Sequence, residues 1–279
     1  GGGESTTSGP AYSVPGSVAL VTFNEGAAQT GNDCAIDTSQ LPQGVVGASA
    51  RSDARLKFQV VKGEMSYNYD LPGDGTPIIV PINMGDGPYT FRVMQNTSGN
   101  NYVELFSAIE NVNLSSETAP YLVPNMFVNY NESSAVVAKA RELAQGAANQ
   151  GDVVRNIYQW VVDNITYDHD KAAQLASATG YVPDPDATLA AGTGICFDYA
   201  SLGAAMLRSL GIPCQVITGY VSPDDVYHAW NMVYIDGEWV SVEISIKPNS
   251  WTRVDLTFAA SGAASTIGDG TSYTDRYTY

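Results

Sequence analysis

Apolar and polar residues alternate over much of residues 54–130. The runs Leu56-Lys57-Phe58-Gln59-Val60, Met65-Ser66-Tyr67-Asn68-Tyr69, Tyr89-Thr90-Phe91-Arg92-Val93 and Tyr102-Val103-Glu104-Leu105-Phe106 place every second side chain on one face. That period predicts short strands with one buried side. The clusters Pro72-Gly73-Asp74-Gly75 and Gly85-Asp86-Gly87-Pro88 punctuate them as turns. Strands at this spacing predict a small antiparallel sandwich. Near residue 133 the period lengthens. Ser133 or Ser134 can cap a helix over 135–145, and Asp152 can cap a second whose Val153, Val154, Ile157, Trp160 and Val161 share a face. An irregular stretch, 168–194, precedes a third helix over 197–210, stopped by Gly211-Ile212-Pro213. Strands over 215–221, 229–235 and 238–244 follow, then a Gly-, Ser- and Thr-rich tail from Ala259. Helices segregated from antiparallel strands predict an α+β class.

Composition narrows the reading. With 279 residues, 44% hydrophobic and 15% charged, the chain has ample material for a core. The net charge of -16 argues against nucleic acid or an anionic membrane as a partner engaged through a basic face. No apolar run reaches transmembrane length. Residues 1–16 are small and polar and read as a flexible tether. No Lys or Arg occurs in the first 50 residues. A tether of that kind fits either a secreted, lipid-anchored protein whose anchor lies upstream of residue 1, or a frayed terminus. The expected division is a tether (1–16), a β-rich domain (17–130) and a domain carrying the chemistry (131–279).

Three cysteines, Cys34, Cys196 and Cys214, are too few for a disulfide scaffold. Cys196 follows Gly192-Thr193-Gly194-Ile195 and opens the third helix. Unpaired N–H groups and the positive end of the helix dipole favour a thiolate there, and the same N–H groups could hold an oxyanion. His228 and His169 are the only histidines. Asp236-Gly237 is a two-residue hairpin signal. If it is the turn, Ile235 pairs with Glu238 and paired residue numbers sum to 473. Glu243 is then the diagonal neighbour of His228 on one face, within side-chain reach. Glu238 falls on the other face and Asp236 in the turn. A nucleophile, a base and an orienting carboxylate make a triad: Cys196, His228 and Glu243.

With these residues in view, the stretches Gly194-Ile195-Cys196-Phe197-Asp198-Tyr199-Ala200, Met206-Leu207-Arg208-Ser209-Leu210-Gly211-Ile212-Pro213, Val216-Ile217-Thr218-Gly219-Tyr220 and 228–240 (His-Ala-Trp-Asn-Met-Val-Tyr-Ile-Asp-Gly-Glu-Trp-Val) resemble the core of the transglutaminase-like superfamily of papain-type cysteine enzymes. The likeness extends upstream through Tyr158–Asp168 and Gly180–Asp184. It implies a helix carrying Cys196 packed on an antiparallel sheet carrying His228 and its acid. Here the acid is Glu243, where the family usually has Asp. An upstream aromatic or amide side chain often completes the oxyanion hole in the family; Tyr167 and Gln159 are the candidates. The resemblance implies a bacterial, secreted or cell-surface enzyme acting through a Cys196 thioester on the amides of protein or cell-wall peptide. Water as acceptor makes it a protease or amidase, and an amine makes it a crosslinking acyltransferase. No cofactor and no metal are expected. His169 between Asp168 and Asp170, and the acidic pairs Asp184/Asp186 and Asp224/Asp225, lack metal-site spacing. The other readings are a catalytically silent binding or scaffold module and, with little weight, a redox pairing of Cys196 with Cys214.

Overall fold

A computed structural model describes residues 9–176, 178–221, 226–246, 252–258, 266–267 and 271–279; the side chains of 220, 221, 226, 243–246, 252–258, 266–267 and 271–275 lie outside that description. The chain divides into two units, Leu20–Met126 and a second comprising the residues up to Ala19 with Phe127–Tyr279.

The first unit contains β1 (Gln29–Gly31), β2 (Cys34–Asp37), β3 (Val45–Ala50), β4 (Leu56–Lys62), β5 (Met65–Leu71), β6 (Ile78–Pro81), β7 (Gly87–Ser98) and β8 (Asn101–Val112). They form two four-stranded antiparallel sheets, β1-β2-β3-β6 and β5-β4-β7-β8. The alternation works as expected: Phe58 pairs with Tyr69 on one side and Val93 on the other, and all three are buried. Strands β1 to β3 were not legible. Val45-Val46-Gly47-Ala48 is buried on both faces, so it shows no alternation to read.

The second unit contains α1 (Ala135–Ala144), α2 (Gln150–Asn164), β9 (Thr166–Tyr167), α3 (His169–Leu175), α4 (Pro185–Ala191), β10 (Thr193–Gly194), α5 (Cys196–Ser209), β11 (Cys214–Val221), β12 (Val226–Ile235), β13 (Glu238–Ile246), β14 (Thr252–Phe258), β15 (Thr266–Ile267) and β16 (Thr271–Thr278). The last six strands form an antiparallel sheet in the order β14-β13-β12-β11-β16-β15. Helix α5 is buried at every position from Phe197 to Ser209, the polar Asp198, Ser201, Arg208 and Ser209 included. It packs on β11 and β12 and is covered by α1, α2 and α4. Its one cation, Arg208, is 1% exposed; Nε donates to the Cys214 carbonyl (2.9 Å) and a terminal N–H to the Tyr279 carbonyl (2.7 Å), tying the helix end to β11 and to the residue after β16.

Four expectations change. Residues 9–16 are not a free tether: the Tyr12 hydroxyl donates to the Leu210 carbonyl (3.0 Å), Gln150 N–H to the Pro10 carbonyl (3.0 Å) and Arg141 to the Pro15 carbonyl (2.9 Å). The α2 cap is Asn149, whose amide oxygen accepts from Asp152 N–H at 2.8 Å, while the Asp152 carboxylate accepts from Ala148 N–H. The irregular stretch 168–194 holds the short helices α3 and α4. The tail ends in β16, which pairs with β11, for example Ile217 with Thr278.

Gly203 sits inside α5, where glycine costs about 1 kcal/mol against alanine. A Cβ there would lie 2.9 Å from both the Tyr158 hydroxyl and Asn231 Oδ1. Those two atoms are a buried hydrogen-bonded pair that cannot swing away. Gly203→Ala is therefore expected to lower stability by roughly 1–2 kcal/mol, because overpacking outweighs the helix gain; urea titration of the two proteins checks the sign.

Candidate active site

The turn before Cys196 is built by short-range geometry. Strand β9 runs parallel to β10, pairing Tyr167 with Gly194, and Asp168 N–H donates to the Gly194 carbonyl at 2.9 Å. A Cβ on Gly194 would lie 2.7 Å from Asp198 Cβ, so only glycine lets Asp198 fold back over the turn. The Asp198 carboxylate, 0% exposed, then accepts from Ile195 N–H (2.9 Å), from the Lys171 ammonium (2.8 Å) and from the Tyr181 hydroxyl. Lys171 also lies over the Tyr181 ring, 4.8 Å from its centre. Burial pulls the Lys171 ammonium down, but its bonds to Asp198 and Tyr181 outweigh that, and the net shift is upward.

Cys196 is the first residue of α5, as predicted. The backbone N–H groups of Ala229 and Phe197 favour the Cys196 thiolate electrostatically. Helix α5, which carries Cys196, packs on β12, the strand that carries His228 and, next to it, Ala229. Cys196 is partly exposed. Burial pushes the thiol up to about 11; the two N–H groups pull the other way, and the Asp198 charge adds to the rise. Burial thus works against the thiolate that the helix end favours.

His228 lies on β12 opposite Gly219 of β11, its ring stacked on Trp230 at 5.7 Å and 22°. The hairpin turn is as predicted, and its pairing reaches Asn231↔Val242, short of His228. Asp236 (φ +53°) and Gly237 (φ +77°) both take the left-handed conformation of a primed turn, and the register runs from Ile235↔Glu238 to Asn231↔Val242. Glu243 is the next residue of β13, with its backbone opposite Asp255 of β14; its side chain lies outside the described residues.

Tyr167 stacks on Tyr199 (6.3 Å, 14°) and meets His169 edge-on (4.8 Å, 66°). Burial first, then charge at Cys196 and Asp198, holds its phenol up to about 12, so it keeps its proton and is a donor at neutral pH. Gln159 is corrected as an oxyanion candidate. The α2 period turns it outward, and its amide donates to Asp163 at 3.0 Å on the exposed face. Cys214 is buried, and Cys34, Cys196 and Cys214 are all free thiols. His169 is exposed at the start of α3, and among the described residues no three His, Cys, Asp or Glu side chains group as metal ligands would. No described helix is long and apolar enough to cross a membrane. Sequence reasoning missed the Asp198–Lys171–Tyr181 cluster. The signal was there: an acid three residues past a helix cap usually bonds the cap N–H.

Residues 137–244 match the sequence model of the transglutaminase-like superfamily. Cytokinesis protein 3 of Schizosaccharomyces pombe is 33% identical over 120 residues, covering 38% of this chain and 12% of that protein. A UPF0252 protein of Methanocaldococcus jannaschii is 25% identical over 199 residues, 67% of this chain and 54% of its own length. The mouse Kyphoscoliosis peptidase is 31% identical over 112 residues, 37% and 16% of the two chains. This chain thus spans about half, or far less, of each of these relatives. Among solved structures, a candidate cysteine protease from Cytophaga hutchinsonii has a TM-score of 0.40 at 18% identity over 84% of this chain and 87% of that one. Red sea bream transglutaminase has 0.30 at 13%, over 71% and 48%. The glycine turn, the cysteine at the head of a buried helix and the histidine on the adjoining antiparallel strand lie within or beside the matched segment, and residues 137–244 are a transglutaminase-like superfamily core.

Proposed function

We propose that the protein is a cysteine-dependent amide-bond enzyme with Cys196 as nucleophile, His228 as base and Glu243 as the group that orients His228. The observation that carries this is the packing of α5, which opens on Cys196, against β12, which bears His228. It joins the two elements that bear the reacting groups. Because burial holds the thiol protonated, the proton must be taken during attack. His228 accepts it, the sulfur bonds to the substrate carbonyl carbon, and the carbonyl electrons move to oxygen. The Tyr167 hydroxyl, which keeps its proton, is the donor we assign to that oxyanion. Collapse breaks the C–N bond, and His228 returns the proton to the leaving amine. Water then adds to the thioester, with His228 as base, and releases a carboxylic acid and the free thiol. An amine in place of water would give a new amide.

We read hydrolysis as the main outcome and protein or cell-wall peptide as the substrate; support comes from a relative named a peptidase. The high thiol value is the one observation that favours a silent binding module instead. The test uses fluorescently labelled casein, with and without biotinylated pentylamine. Reactions are quenched in acid for intact-protein mass spectrometry. The reading expects fluorescent fragments and an acyl adduct mapped to Cys196. Biotin incorporation without fragments would make the enzyme a transferase. Neither product, with Cys196 alkylated no faster than Cys34 and Cys214, would sink the enzymatic reading.

A further inference from the structure

We propose that Asn231 is a positioning residue that sets the register of the cysteine helix along the histidine strand; the inference rests on the catalytic reading of Cys196 and His228. On β12, Ala229 and Val233 pack in the core that surrounds α5, while Trp230 and Met232 pack with Ile217 on the opposite face. Asn231 falls on the helix side and is 2% exposed. Its amide is fully used. Oδ1 accepts from the Tyr158 hydroxyl at 2.7 Å, and Nδ2 donates to the carbonyls of Ala200 (2.9 Å) and Gln215 (3.1 Å). One side chain thereby joins α2, α5, β11 and β12.

The contact with Ala200 matters because of its spacing. Ala200 lies four residues beyond Cys196, and Asn231 lies two residues beyond Ala229. Four residues of helix rise about 6 Å and two residues of strand about 6.6 Å. The bond from Asn231 to Ala200 therefore fixes α5 against β12 at the spacing that brings Ala229 alongside the start of the helix. A directed bond at this point resists sliding of the helix along the strand. Gly203 is the second, independent sign that this approach is built in. It is a glycine in mid-helix whose missing Cβ leaves the space that Asn231 Oδ1 and the Tyr158 hydroxyl occupy. An apolar residue would fill that space without burying an amide. An amide adds direction, since buried polar groups of this kind select one register over others.

The experiment compares wild type with Asn231→Leu/Tyr158→Phe, which leaves no orphaned hydroxyl, and with Tyr158→Phe alone, which removes one bond and spares the fold. Amide hydrogen exchange, followed by NMR, reads the register directly. The Ala229 amide is expected to exchange at least tenfold faster in the double variant while Val216 and Val233 keep their protection. Tyr158→Phe is expected to show a smaller change in the same direction and stands in if the double variant does not fold. The pH profile of Cys196 alkylation in the variant should move toward that of His228→Ala, and kcat should fall with KM little changed. Unchanged Ala229 protection in a folded variant overturns the proposal whatever the activity does. If Ala229 loosens but wild type and His228→Ala alkylate identically, the register role stands and the catalytic reading fails.

Discussion

Cys196→Ala is expected to abolish amide turnover, by about 10⁴-fold or more, with the melting temperature almost unchanged. A nucleophile that forms the covalent intermediate has no substitute, and removing one member of such a unit costs nearly as much as removing all of them. The stability side follows from position. Alanine is a good residue for the first turn of a helix, and the change deletes one partly exposed sulfur. His228→Ala is expected to be nearly as damaging, and the structure says how the defect will look. Burial holds the Cys196 thiol at about 11, so without an imidazole to take its proton during attack, alkylation of Cys196 should become significant only as pH climbs toward that value. In wild type it should proceed near neutrality. The thiol also links to stability. Its folded value lies above the roughly 8.5 of a free thiol, so its contribution is fully present below that pH and is lost as pH rises through about 11. Cys196→Ala should therefore show a flatter fall in denaturation midpoint over that window. Turnover that survives Cys196→Ala would remove the thioester mechanism. Superimposable alkylation profiles for wild type and His228→Ala would remove His228 as its base.

What the chain reveals in advance depends on how local each feature is. The Asp236-Gly237 turn has its signal in two adjacent residues, and the register it implies appears in the structure from Ile235↔Glu238 onward. Cys196 at a helix start follows from glycines directly before it. The short helices α3 and α4 carry their caps in plain sight: Asp168 accepts from Lys171 N–H, and Asp184 with Pro185 opens a helix that Gly192 closes in the left-handed conformation. Seven residues, however, give too few turns for a period to show. Other features had no local signal. Whether Gln159 points at the site or at water depends on which face of α2 meets α5. The place of β16 beside β11 depends on a pairing with residues about 60 positions away in sequence. The value of the Cys196 thiol depends on how much protein closes over it, and the sequence shows only the helix end that opposes that effect.

Lys171→Met is expected to be the most damaging change outside the reacting groups, and its double variant the most informative. Asp198 is fully buried in the first turn of α5, two residues from Cys196, and the Lys171 ammonium is the cation within bonding distance of it. Removing one partner of a buried pair leaves a charge with no counter-ion, typically a loss of about 3–5 kcal/mol. Lys171 keeps 32% of its side chain exposed, so solvent screens part of the pair, and roughly 2–4 kcal/mol is the expected loss. Two donors remain on Asp198, the Ile195 N–H and the Tyr181 hydroxyl. Adding Asp198→Asn removes the orphaned charge while the amide oxygen can still accept from Ile195. Lys171→Met/Asp198→Asn should therefore be more stable than Lys171→Met alone. Reactivity should follow the same order. The Asp198 charge already raises the Cys196 thiol, and without Lys171 to offset it, alkylation at fixed pH should slow, then recover in the double variant. Denaturation and alkylation rates measured on wild type and the two variants decide between two roles for the pair. Lost stability with unchanged alkylation would make it a clasp for the α3 segment alone. Coupled changes in both would mean that the charge balance of this cluster also sets the reactivity of the cysteine beside it.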